Sequence, residues 1–202
     1  VARPRLHAPE TVLDAAEELV VAHGRASLTV RALAERAGAS NGSLYHAFGS
    51  VENVVAQAWL HRAQQFLEVQ RTAVDAALAA GDPVAAVQAA ADAPARLHDI
   101  EPTAARLLTA LRRDDVLTDG VPEAVAADLR SLDRDLAAVL RRLARAVWDR
   151  TDRAAVDVVT TCVVRLPAAL LFPEIRAGRV HPLTRRRLAA AVAAVLDCPL
   201  PS

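Results

Sequence analysis

Asn41, Gly42, Ser43, Tyr45 and His46 lie within a single short stretch of the chain. An amide, a hydroxyl, a phenol and an imidazole so grouped donate and accept at base edges and at phosphate oxygens. Gly42 among them costs a helix about 1 kcal/mol relative to alanine, and in return lets backbone come close to a sugar-phosphate chain. Thr29, Arg31 and Ser40 stand just upstream. Side chains of this kind read a surface; they do not form a nucleophile–base set.

Two short helices must hold these residues. Thr29 precedes an apolar-periodic run and is a natural N-cap. Val30, Leu33, Ala34 and Ala37 follow at i, i+3, i+4 and i+7, one buried helical face, with Arg31, Glu35 and Arg36 turned away. Gly38 suits the residue after a helix C-terminus. Ser40 then caps a second helix running to about Phe48, with Leu44 and Phe48 one turn apart on its inner side. Gly49-Ser50 closes it, and Ser50 can cap the next. Helix, glycine turn and helix in this order form the unit that sets its second helix in a DNA major groove.

The first fifty-odd residues resemble the DNA-binding domain of TetR-family transcriptional regulators. The matching elements are a first helix ending at Gly24, Leu28-Thr29-Val30-Arg31, Ala37-Gly38-Ala39-Ser40, and Leu44-Tyr45-His46-x-Phe48. The resemblance implies that Thr29, Tyr45 and His46 contact phosphates, and that Arg31, Asn41 and Ser43 reach bases. Ser40 and Gly42 complete the candidate interface. Members usually carry a lysine at the start of helix four that grips phosphate; this chain has Val51 there.

Composition fits the same class. Hydrophobic residues make up 53% but aromatics only 3%, which describes an Ala/Leu/Val-rich helical protein. Acidic and basic residues balance at 24 each, and every cation is arginine, so any nucleic-acid binding is local rather than a property of the whole chain. The reading is all-α: an N-terminal three-helix helix-turn-helix DNA-binding domain over residues 1–50, and a C-terminal helical ligand-binding and dimerisation bundle over 51–202, about nine helices altogether. There is no signal peptide and no apolar stretch of about 18 residues that could span a bilayer, which predicts a cytoplasmic protein without a membrane partner.

Further along, Val1 to His7 is a short basic arm (Arg3, Arg5, His7), either a frayed terminus or a minor-groove contact. Helix one runs from Pro9 with Val12, Leu13, Ala16, Leu19 and Val20 inward. Helix four starts near Val51. An alanine-rich helix follows from Pro83, with Pro94 kinking or ending it, and another begins at Glu101-Pro102. Two long helices come next, the second from Asp152 to Leu171, then an irregular stretch from Phe172 to Pro182 and a last helix over 183–197.

By resemblance, the last two helices pair with those of a second copy, through Val156, Val159, Val163, Leu166, Leu170, Leu188, Val192 and Val195. The middle helices hold a small-molecule effector, with Trp59, Phe66, Leu97, His98, Thr103, Leu107, Leu111 and Trp148 as candidate lining. The partners implied are thus a double-stranded DNA operator, an effector and a second copy, with no cofactor or metal.

Other clusters are weaker. His98-Asp99-x-Glu101 has no second His or Cys group beside it, and His61 and Arg62 near Trp59 are isolated. Cys162 and Cys198 lack metal-ligand spacing. Arg176, Arg179, Arg185, Arg186 and Arg187 read as a solvated connector. No phosphate loop or nucleophile elbow occurs, so the chain is not read as an enzyme. The function inferred is a ligand-responsive regulator, most simply a repressor, on a palindromic operator. The alternative is a helical ligand-binding or interaction protein whose DNA-binding unit is silent.

Overall fold

The computed structural model describes residues 9–200, so the basic arm expected over Val1 to His7 lies outside the described residues. Among the described residues there are helices and no strands. The helices are α1 (Pro9–His23), α2 (Val30–Ala37), α3 (Asn41–Phe48), α4 (Val51–Ala79), α5 (Pro83–Ile100), α6 (Pro102–Ala110) and α7 (Arg113–Val116). They continue with α8 (Glu123–Trp148), α9 (Arg153–Thr160), α10 (Leu166–Leu170), α11 (Phe172–Arg176) and α12 (Pro182–Asp197). None is long and apolar enough to cross a membrane.

Packing divides the chain into two units, Val1–Ala63 with Leu107–Ser131, and Gln64–Arg106 with Leu132–Ser202. The first turns of α4 carry Val54, Val55 and Ala58, all buried, and so pack with the N-terminal unit.

In the first unit, α1 turns Val12, Ala16 and Val20 inward, with Leu13 and Leu19 half-buried. Arg62 of α4 donates from Nε to Glu17 at 2.7 Å and pairs with Asp14 at 3.1 Å, both on α1. Glu17 is only 3% exposed; a carboxylate so buried needs its cation, since removing one partner of such a pair leaves an uncompensated charge. Arg62 is therefore not isolated, as the sequence suggested. It fastens α1 to α4.

In the second unit, α5 lies against α12 and passes through Pro94 to Ile100 without ending. Proline has no N–H to give the carbonyl four residues back, which leaves Ala90 without a helical donor. Gln70 of α4, 1% exposed, supplies one: its Nε2 donates to the Ala90 oxygen at 3.1 Å. Arg185 of α12 forks onto Asp92 at 2.8 and 2.5 Å and reaches Asp99 at 2.6 Å. Those carboxylates hold the guanidinium even more firmly protonated than usual, against a smaller opposing effect of burial. Arg185 thus departs from the solvated connector expected of it, and Asp99 already has a structural partner.

The segment expected as one helix from Asp152 to Leu171 is interrupted. It opens into a π-turn at Thr161–Arg165 before resuming as α10. Pro167 explains the break, because in a regular turn its ring would collide with the Val163 carbonyl. Conversely, part of the stretch expected to be irregular is helical: α11 starts with Pro173 in its first turn, where a missing N–H costs nothing. Asp152 caps α9 by accepting from the amides of Ala154 and Ala155. A hydrogen bond from Arg150, reinforced by the Ala155 amide, pulls its carboxyl down to about 2.

The Gln70 clasp makes a direct prediction. Gln70→Leu leaves a buried carbonyl unpaired and should cost about 1–3 kcal/mol in chemical denaturation. In a Pro94→Ala background, where residue 94 regains an N–H, the same change should cost distinctly less. Equal costs in the two backgrounds would contradict this explanation of the buried glutamine.

Candidate nucleic-acid interface

Local chemistry fixes α2 and the turn after it. The Thr29 hydroxyl accepts from the Ala32 amide at 3.1 Å. At the other end Gly38 adopts φ 66°, and the Ala39 and Gly38 amides return to the Ala34 and Glu35 carbonyls. That pairing is a Schellman stop, which needs a residue at ease in the left-handed region. Leu33, Ala34 and Ala37 are buried, Val30 is half-buried and Arg31 is exposed.

Ser40 opens α3 by a reciprocal cap. Its hydroxyl accepts from the Ser43 amide at 3.1 Å, and the Ser43 hydroxyl accepts from the Ser40 amide at 3.2 Å. Serine here takes the part usually given to glutamate or glutamine in a capping box. Ser43 also donates to the Ser40 carbonyl at 2.8 Å, so its hydroxyl is engaged with the cap. Leu44 and Phe48 face the core; burying two such side chains is worth about 1.5–3 kcal/mol each.

The outer face of α3 consists of Asn41, Gly42, Tyr45, His46 and Ala47, all exposed, with Tyr45 at 61%. No acidic residue lies on this helix. An alanine Cβ at Gly42 would meet nothing of the protein closer than the Ser40 hydroxyl at 3.9 Å. Its φ is not positive. The protein's own packing therefore gives no reason for glycine at this position.

The end of α3 is tied to the start of α4. Gly49 turns the chain at φ 74°, the Ser50 hydroxyl accepts from the Asn53 amide at 3.0 Å, and the buried Asn53 side chain donates to the Phe48 carbonyl at 2.7 Å. Asn53 escaped the sequence reading; its only signal is an amide side chain three residues after a serine cap. Val51, where the resemblance leads one to expect a lysine, lines a small apolar crevice with Val30, Leu33, Leu44 and Tyr45.

The other candidates are dispersed. Of the proposed effector residues, Trp59, Leu107 and Leu111 belong to the first packing unit, and the Trp59 indole donates to the Leu111 carbonyl at 3.2 Å. Phe66, Leu97, His98, Thr103 and Trp148 belong to the second, where Leu97 and His98 are buried and the other three half-buried. Of the proposed dimer residues, Val159, Val163, Leu188 and Val192 are already buried within one chain, while Val156, Leu166, Leu170 and Val195 are half-buried. The outward face of α12 instead carries Leu183, Arg187, Ala190, Ala194 and Asp197, at alternating four and three spacing and all exposed.

Comparison with known proteins agrees with this geometry. Residues 12–58 match the sequence profile of bacterial regulatory proteins of the tetR family. The fold resembles that of the TetR family transcriptional regulator PfmR from Thermus thermophilus, with TM-score 0.66 and 19% identity over 92% of this chain and 96% of that one. A TetR transcription regulator from Haloarcula marismortui gives TM-score 0.68 at 16% identity, over 96% and 98%. The ketosteroid transcriptional regulator KstR2 of Mycobacterium tuberculosis gives 0.65 at 16%, over 96% and 95%. No curated protein matches the chain in sequence. Residues 12–58 thus match the tetR-type DNA-binding segment, and the fold of nearly the whole chain is similar to that of the TetR-family transcriptional regulators PfmR and the Haloarcula marismortui protein.

Proposed function

We propose that the protein is a ligand-responsive repressor that binds a palindromic operator as a homodimer. Each copy sets α3 into the major groove, the two recognition helices being one helical turn of DNA, about 34–36 Å, apart. One observation carries this reading: the exposed polar face of α3 holds a glycine that internal packing does not require. A helix gives up that stability when something outside the protein needs the space.

Within the interface, Thr29, Tyr45 and His46 contact phosphates, and Arg31 and Asn41 reach base edges. Ser43 and Ser40 define how α3 enters the groove. Residues 51–202 take the effector and the second copy. The exposed small residues of α12, Ala190 and Ala194 with Leu183, let a partner helix approach closely, whereas the larger stripe of Leu188 and Val192 is already used within the chain. An effector that prefers a conformer with misspaced recognition helices releases DNA by linkage, typically worth about 1–3 kcal/mol. α4 is the natural lever, since it begins beside α3 and its later turns belong to the second packing unit.

The direct test is a mobility-shift titration with the DNA upstream of the protein's own coding sequence, in the presence of scrambled competitor. Preference for the upstream duplex supports the reading; equal binding to both overturns it. Gly42→Ala should then act in opposite directions on two measurements. It raises folding stability by up to about 1 kcal/mol and weakens binding of that duplex, whereas an alanine that leaves binding unchanged would remove the observation on which the proposal rests. Asn41→Ala should cost about 1–3 kcal/mol on the preferred duplex and relax its discrimination. Tyr45→Phe should weaken preferred and scrambled duplexes alike; reversed behaviour of the two variants would exchange their roles.

A further inference from the structure

Gly120 is unlike the glycines that turn this chain. Gly24, Gly38, Gly49, Gly81 and Gly178 all have positive φ, and Gly120 does not. Its lack of a side chain serves close approach instead. A Cβ there would stand 3.0 Å from Glu52 Cβ and 3.1 Å from Glu52 Cγ, and the first of these atoms is fixed to the backbone of α4. The Gly120 carbonyl accepts from the Ser50 hydroxyl at 2.9 Å. The turn that presents it, between α7 and α8, is closed by the Val121 amide on the Thr118 carbonyl at 3.0 Å.

Ser50 therefore does two jobs at once, capping α4 through the Asn53 amide and holding this turn through its own proton. Asn53 in turn holds the last carbonyl of α3. The result is a continuous hydrogen-bonded path: Phe48 carbonyl, Asn53, Ser50, Gly120. It joins the end of α3 to a turn some seventy residues further along the chain. α8 starts immediately after this turn and continues beyond Ser131, where the first packing unit ends.

We propose that Gly120 and Ser50 are positioning residues for DNA binding: the α7–α8 turn is a backstop that keeps the α3–α4 corner in its DNA-binding arrangement. This rests on reading α3 as the helix that enters the groove. The backstop gives α8 its own hold on that corner, separate from α4. Moving the turn off Glu52 lowers the fraction of molecules in the competent arrangement, and apparent affinity falls by that fraction. The phosphate contacts of the competent form do not change, so neither does the salt dependence.

The experiment measures affinity for the upstream duplex well below the unfolding temperature, at several salt concentrations, alongside thermal unfolding. Gly120→Ala and Ser50→Ala should each bind about tenfold more weakly, within the usual range of such couplings, with an unchanged salt slope. Ser50→Thr, which keeps the hydroxyl, should bind as the natural protein does. Glu52→Gly placed in the Gly120→Ala chain should restore binding by making room for the methyl group. Lower unfolding temperatures with unaltered affinity would reduce the turn to a structural contact and overturn the proposal, as would failure of Glu52→Gly to rescue. Should Gly120→Ala not fold, the Ser50→Ala and Ser50→Thr pair decides. Absence of any duplex preference in the natural protein would be a different failure, that of α3 as the reading helix.

Discussion

A helix of eight residues with glycine second in line does not hold together in water on its own. That constraint governs the N-terminal unit. α3 exists because Ser40 and Ser43 cap it, Leu44 and Phe48 bury its inner side, and Asn53 closes its last carbonyl. Each of these supports acts on the ends or the inner face of the helix. The outer face, with Asn41, Gly42, Tyr45 and His46, takes no part in these supports and is exposed. A helix supported in this way takes its orientation from its neighbours, so the residues that hold it matter to the proposed interface as much as the side chains that face outward.

The second unit meets a different difficulty. With aromatics at 3% of the chain, its helices close on alanine, leucine and valine, and α5 buries Ala86, Ala90, Ala91, Ala93 and Ala95. Small smooth side chains pack closely but distinguish weakly between one register and the next. Specific polar clasps supply that distinction. The Arg185 fork on Asp92 and Asp99 fixes α12 along α5, and the Gln70 amide fixes α4 against the carbonyl that Pro94 leaves open.

Which features were legible in the sequence follows from the range of the interactions involved. Thr29, Gly38, Ser40 and Ser50 act on residues a few positions away, and their cap chemistry is visible in the order of residues alone. Arg62 meets Glu17 across 45 positions and Arg185 meets Asp92 across 93; no local period announces such partners. The residues expected at a dimer seam show a second limit. Apolar residues at three and four spacing mark a buried face without saying what buries it, and Val159, Leu188 and Val192 are buried by their own chain. The π-turn before Pro167 was readable in principle, because a proline inside a helical pattern must disturb the turn before it.

Selection of bound duplexes from a randomised pool by the purified, effector-free protein tests the central claim most directly. If two copies of α3 are presented on a two-fold axis, the enriched sequences share an inverted repeat whose half-sites are centred about one helical turn, 10–10.5 base pairs, apart. A pool that emerges without a shared sequence, or with a single half-site and no symmetric mate, would contradict it.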